Sequence, residues 1–434
     1  MTPEALGALQ KSLGQDLTAF FPEVVLCGTI VLLLLLRLFR VLDRYHLGGV
    51  ALILTVYALM VGWNQWQGNP SEPPRPAVAF GGMLAFDNFF LFIRLFLLAF
   101  VALVIWLSLL TGIPDREDSA DFYVLLLGAT LGMAMMASAN HLMMVFIGVE
   151  MASLPSYALA GFLKGRRRSS EASLKYVVYG GGTAGIMLYG ISLIAGKFGT
   201  GYLPEVAAAF AAGPVDPLLI LASLFVLIGI AFKLAAVPFH FWCPDVFEGA
   251  AAEVAGFLSV ASKGAALALL GRIVLTMAGP TLPQAPWLDL ARYLVPVLAI
   301  FAAVTATFGN LAAYGQTNLK RLLAYSTIAH AGYMMMGLAT LTAAGASAML
   351  LYLVAYLFMN LGAFAVVAFI RNLNALHNKS DPEDLSACRG LILRAPVLVV
   401  TLAIFLLSLL GMPPLAGFTA KFQIFSELYK AGQG

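Results

Sequence analysis

The sequence predicts an all-α protein that crosses a membrane about a dozen times. Three observations carry that reading. Hydrophobic residues make up 61% of the 434 and charged residues only 11%, whereas an ordinary soluble domain carries about 25% charged residues. Apolar runs long enough to cross ~30 Å of hydrocarbon as a helix recur from end to end. No soluble domain fits between them. The longest polar connections are QWQGNPSEPPRPAVAFGG (Gln65–Gly82) and RNLNALHNKSDPEDLSACRG (Arg371–Gly390).

Taken in order, the first two apolar runs cover residues 21–41 and 47–66. The third, 86–110, carries Arg94 at mid-length, and the fourth covers 121–139. The fifth, 141–162, holds Glu150 in MVFIGVEMASLP; the sixth, 173–196, contains a glycine-rich stretch. The seventh, 217–249, is too long for one span and is interrupted at Pro238, after Lys233. The eighth, 253–276, holds Lys263 in FLSVASKGAALAL. The ninth and tenth, 290–313 and 321–341, follow, with His330 central in the tenth. The eleventh covers 343–371, and the twelfth, 393–432, is again overlong and interrupted at Pro413 and Pro414, before Lys421. Proline frees backbone carbonyls, and at membrane depth these persist only when buried in protein or beside water.

This suggests three regions: N-terminal helices in 1–120, a five-helix set in 121–276 and a second set in 290–434. Five is odd, so the two sets insert in opposite senses. Broken helices at matching places point to inverted repeats with a site between them.

Basic residues set the orientation. Arg37, Arg40 and Arg44 follow the first span, and LKGRRRSSEASLK (Leu163–Lys175) follows the fifth. Lys320 and Arg321 precede the tenth, while Arg371, Lys379, Arg389 and Arg394 surround the last long loop. All four connections share one side when the N-terminus lies outside, and the net charge of +3 adds little. No basic region precedes the first apolar run, so that run is expected to serve as an uncleaved insertion signal. Cys27, Cys243 and Cys388 are far apart and form no CxxC pair, which gives no zinc or iron–sulfur signature. Gly180, Gly182 and Gly185 match G-x-G-x-x-G inside the sixth span with no preceding strand, so nucleotide binding is not indicated. Gly181 and Gly185 instead form a GxxxG pair suited to helix packing.

A charge at the bilayer centre costs roughly 2.5–3.5 kcal/mol on insertion scales. Glu150, Lys233, Lys263 and Lys421 lie too deep to reach water by snorkelling, so each is a candidate proton carrier. Burial disfavours the charged form of a lysine and a nearby carboxylate restores it, which gives such a pair the means to hold and release a proton. His330 is either a member of the same relay or a hydrogen-bonding core histidine, and His240 is either functional or a cap for freed carbonyls. Lys175, Lys320 and Arg321 lie at span entrances, where anchoring and function weigh equally. Arg94 is expected to pair with a buried acid or a neighbouring subunit.

VPFHFWCPDVFEG (Val237–Gly249), GNLAAYGQTNLKRLLAYSTIAHAGYMMMGL (Gly309–Leu338), YLFMNLGAFAVV (Tyr356–Val367) and GMPPLAGFTAKF (Gly411–Phe422) resemble the subunit N family of proton-pumping NADH–quinone oxidoreductase, respiratory complex I. The FHFW-x-PDV-[YF]-EG form resembles subunit N more than its relatives L and M or Mrp-type antiporter subunits. The resemblance implies a fold of about fourteen helices with helices seven and twelve discontinuous, of which about twelve are present, because the family continues past YKAGQG for about two helices. It implies a proton route through Glu150, Lys233, Lys263, His330 and Lys421, with Lys175 a further polar position and Glu150 the counter-ion of Lys233. It also implies an inner-membrane location and partners in the membrane arm, such as subunits M and K, with the redox arm reached indirectly. NADH, FMN, iron–sulfur clusters and quinone belong to other subunits; this chain is expected to bind no cofactor, metal or nucleic acid.

The sequence departs from the family in having Ala-Ala-Glu where Pro-Thr-Pro follows EGA. Glu253 is therefore expected either to influence Lys263 or to face the cytoplasm. Two alternatives stand beside the leading reading: a subunit of a stand-alone cation/proton antiporter, and a structural subunit with an inactive relay.

Overall fold

The computed structural model describes residues 3–39, 45–68, 77–212, 216–278, 288–376 and 383–432. Of the residues that set the orientation, Arg40, Arg44 and Lys379 lie outside these ranges. The helices, in order, are α1 (Pro3–Ala19), α2 (Phe21–Arg37), α3 (Gly48–Gln67), α4 (Asn88–Thr111), α5 (Ser119–Ser138) and α6 (Leu142–Ala160). Then follow α7 (Arg167–Phe198), α8 (Leu203–Ala212), α9 (Pro217–Leu234), α10 (Trp242–Gly249), α11 (Ala252–Phe257) and α12 (Lys263–Ala278). The last six are α13 (Leu288–Ala313), α14 (Leu319–Ala339), α15 (Ala343–Leu376), α16 (Leu391–Arg394), α17 (Pro396–Leu410) and α18 (Ala416–Lys430). A two-stranded antiparallel hairpin, β1 (Val78–Ala79) and β2 (Leu84–Ala85), precedes α4.

Among the described residues, 9 helices are long and apolar enough to cross a membrane, or up to 10 when the pair Ser12–Ala19 and Phe21–Arg37, bent by 73°, is taken as one span. Each of the twelve expected apolar runs contains a helix, two of them as broken pairs. Features beyond the sequence reading include α1, α8, the β1–β2 hairpin, and a π-helical turn at Leu258–Ser262 between α11 and α12.

Two compact units emerge, Met1–Ser156 with Thr200–Leu203, and Tyr157–Gly199 with Pro204–Gly434. In the first, Asp87 caps α4 by accepting from Phe90 N–H. The segment at Gly201 is tied in by Leu142 N–H donating to Gly201 O at 2.7 Å, and by Leu203 N–H donating to Asn140 O at 2.9 Å. Arg94 is 1% exposed and donates to Glu23 Oε1 at 2.8 Å, Gln65 Oε1 at 2.7 Å and Ala19 O at 3.1 Å. Its guanidinium also lies over the Phe90 ring. The buried-acid expectation is met by Glu23, and these contacts join α1, α2, α3 and α4.

In the second unit α7 packs on α9, α13 on α14, and α15 on α14, α17 and α18. Among the described residues, the GxxxG pair of α7 meets no neighbouring helix. Gly181 and Gly185 have no neighbouring atom within 4 Å of a Cβ position, whereas a Cβ on Gly180 would fall 1.9 Å from Tyr157 Oη. The stretch is glycine-rich where a tyrosine must be seated, one residue before the predicted pair.

Candidate functional site

The candidate site in the second unit is organised by two helix breaks. The first begins at Ala235, three residues before Pro238. Ala235 is left-handed at φ 56, and Ala236 N–H donates to Ala231 O at 2.8 Å, the six-to-one bond of a Schellman ending. The second has the same form: Gly411 is left-handed at φ 89 and Met412 N–H donates to Leu407 O at 3.1 Å. Two proline-containing stretches thus fold into the same helix terminus.

Lys233 lies in the last turn of α9 and is fully buried. Its ammonium lies over the Tyr176 ring, which stacks on Trp242 at 4.3 Å between centroids. Trp242 Nε1–H donates to Phe232 O at 3.0 Å, a carbonyl that also accepts from Ala235 N–H at 2.9 Å. The next residue, Cys243, brings a fully buried thiol to 3.8 Å from Lys263 Nζ. Lys263 is itself fully buried, directly after the π turn, with the Phe247 ring at 5.9 Å. Among the described residues no carboxylate forms a salt bridge with Lys263.

On α14, His330 Nδ1 is 2.7 Å from Tyr352 Oη, with Tyr333 and Tyr356 as ring neighbours. It is a hydrogen-bonded core histidine, and it also sits beside the second break, because Lys421 Nζ lies 4.6 Å from the Tyr333 ring centroid. Lys421 donates back to Leu409 O at 3.0 Å and Leu410 O at 3.1 Å. A cation there complements the negative end of the α17 dipole. His240 is buried between Phe241 and Phe308, and its Nδ1 has no hydrogen-bond partner among the described residues.

The structure assigns partners to the span-entrance cations. Lys175 bridges Asp245 at 2.6 Å and Glu171 at 2.8 Å. Arg321 bridges Asp245 at 2.5 Å and Glu248 at 3.0 Å. Lys320 is 2% exposed and donates to Ala250 O at 2.7 Å while pairing with Glu383 at 2.7 Å. For Lys320, interface anchoring is therefore excluded by burial. Asp245 and Glu248 both lie on α10, so the half-helix beyond the first break is held to α7 and α14 by charge.

Glu253 does not face solvent. It is fully buried, and Arg371 grips it with two nitrogens, Nη1 at 3.2 Å and Nη2 at 3.0 Å. Arg371, taken above as a loop cation, is instead a buried residue of α15. Its fork matches both carboxylate oxygens, which is the geometry a buried carboxylate requires. No sequence signal links the two, because they are 118 positions apart.

Glu150 is half-buried on α6 within the first unit. The structure therefore gathers Lys233, Cys243 and Lys263 around the first break, and His330 and Lys421 around the second. Arg94 belongs to the first unit, where it pairs with Glu23. No group of three or more His, Cys, Asp or Glu that could hold a metal occurs among the described residues.

The family model "NADH:quinone oxidoreductase/Mrp antiporter, TM" matches residues 139–434. The chain is 42% identical over 428 residues to an NADH-quinone oxidoreductase subunit N from Anaeromyxobacter sp. (strain Fw109-5), covering 96% of this chain and 80% of that one. This chain belongs to the subunit N family of NADH-quinone oxidoreductase. A chain of respiratory complex I from Thermus thermophilus with bound aureothin superimposes with a TM-score of 0.74 at 34% identity, over 95% of this chain and 83% of that one. A chain of the Mrp complex from Dietzia sp. DQ12-45-1b has a TM-score of 0.79 at 22% identity, covering 96% of this chain and 75% of that one, and shares the fold alone. The family's members are subunits of a membrane-embedded enzyme complex, and the chain is a multi-span protein of the cell membrane.

Proposed function

We propose that the chain is a proton-translocating membrane-arm subunit of NADH–quinone oxidoreductase, in which other subunits oxidise NADH and reduce quinone. The observation that carries the reading is Lys263: a fully buried lysine at a helical irregularity, with a thiol rather than a carboxylate against its ammonium. A buried cation that only stabilised the fold would be matched to an acid, as Arg94 is to Glu23. The proposed carriers are Glu150, Lys233, Lys263, His330 and Lys421, with Lys175, Lys320 and His240 in supporting positions. The two breaks are read as matching points of inverted repeats in 121–276 and 290–434. Subunits M and K are the proposed neighbours, with the N-terminus outside. The charge distribution of the connecting loops supports that orientation.

The test uses membrane vesicles containing the intact complex, with NADH oxidation and proton uptake followed together. Lys263→Ala is expected to leave the complex assembled while lowering protons moved per NADH. An unchanged ratio would refute the reading.

A further inference from the structure

The π turn at Leu258–Ser262 decides which way Lys263 faces. A π turn accommodates one extra residue, so the sequence beyond it is displaced by one position, about 100° of helix rotation. Lys263 takes the face that an uninterrupted helix would give to its predecessor. What holds the turn is therefore part of what aims the lysine.

Three contacts with α15 hold it. Ser259 Oγ–H donates to Gly256 O at 2.7 Å, a side-chain bond that competes with the regular helix ladder. That oxygen in turn accepts from Asn360 Nδ2 at 2.5 Å. Farther along, Gly256 lets the chain approach Phe364, whose Cβ would lie 3.3 Å from an added methyl. At the start of α11, Glu253 is held by Arg371. Positions 253, 256 and 259 thus meet 371, 364 and 360 in antiparallel order, and the last three share one face of α15 by helical spacing. Ser259 and Asn360 are both fully buried, so their bond has no water to replace it.

We propose that Asn360 is a positioning residue for Lys263: by bonding Ser259 it holds the π turn and thereby keeps the lysine turned toward Cys243. Asn360 does not carry the proton. It holds open the irregularity that α11 and α12 would lose on relaxing into one continuous helix, which would rotate Lys263 away. The proposal rests on the reading of Lys263 as a proton carrier.

The experiment compares Asn360→Leu, Ser259→Ala, Ser259→Thr and Lys263→Ala in the intact complex, reading protons moved per NADH oxidised. Asn360→Leu and Ser259→Ala are expected to fall toward the level of Lys263→Ala, Ser259→Thr to keep most of the wild-type ratio, and Asn360→Leu to add no further loss in the Lys263→Ala background. A merely structural role would give an additive loss there, and that result would overturn the proposal. So would normal coupling in Ser259→Ala, which removes a single oxygen and is informative even where Asn360→Leu fails to assemble. A low ratio in Lys263→Ala with normal ratios in Asn360→Leu and Ser259→Ala would overturn this inference alone. A normal ratio in Lys263→Ala would overturn the reading beneath it as well.

Discussion

The two helix breaks of the second unit end in the same backbone motif but differ in the side chain that reaches the carbonyls of the last turn. At the first, a neutral indole, Trp242, donates to Phe232 O, and the nearby cation Lys233 lies in the last turn of the helix. At the second, the cation itself does the work: Lys421 reaches back from α18 to two carbonyls of α17. The first break also takes its left-handed residue from alanine, and the second from glycine. Backbone geometry is thus common to the two sites, while charge placement is not. Lys233 lies on the helix that ends at the first break, whereas Lys421 reaches the second break from the helix beyond it and is both cap and candidate carrier.

That difference can be broken from either side. The largest effect is expected at the second break from Gly417→Ala. An added methyl would stand 1.8 Å from Ser408 O, where α18 starts against the end of α17. Backbone must move, so a loss of about 3 kcal/mol is expected, in the range of overpacking costs. Heating the purified complex and following the loss of its intact chromatographic peak checks this. Next, Lys421→Met removes charge-assisted bonds to two carbonyls and should cost about 2 kcal/mol by the same assay, along with coupling. Trp242→Phe, which removes one neutral donor, should cost about 1 kcal/mol. A greater loss from Trp242→Phe than from Lys421→Met would reverse the contrast between the breaks. The smallest effect is expected from Ala235→Gly. Relief of the left-handed alanine, about 1–2 kcal/mol, is partly offset by the entropy of glycine, about 0.5–1 kcal/mol, so a slightly raised midpoint with unchanged coupling is the expected outcome.

The same pair of sites shows how far the sequence can be read. Both breaks were legible from their prolines: Pro238 falls between α9 and α10, and Pro413 and Pro414 fall between α17 and α18. The residue that opens the first was not, because a left-handed alanine carries no compositional signal. Charges deep in apolar runs were legible from the cost of burying them, so Lys233, Lys263 and Arg94 stood out. Their partners were not, since Glu23 lies 71 positions from Arg94 and Cys243 meets Lys263 only because the chain turns back between α10 and α12. The partner of Glu253 was not legible either, since Arg371 lies 118 positions away. The π turn had no signature, because it depends on a hydroxyl meeting an amide from another helix.

The central claim is that Lys263 carries protons and does not merely hold charge. The direct test is the proton-to-NADH ratio of Lys263→Arg beside Lys263→Ala in the assembled complex. Arginine keeps the charge but hardly deprotonates, its pKa being above about 12. The account predicts that the arginine form recovers part of the ratio lost in the alanine form and falls short of the wild type. A wild-type ratio in Lys263→Arg would contradict it, since a residue that keeps its proton would then serve as well as one that gives it up.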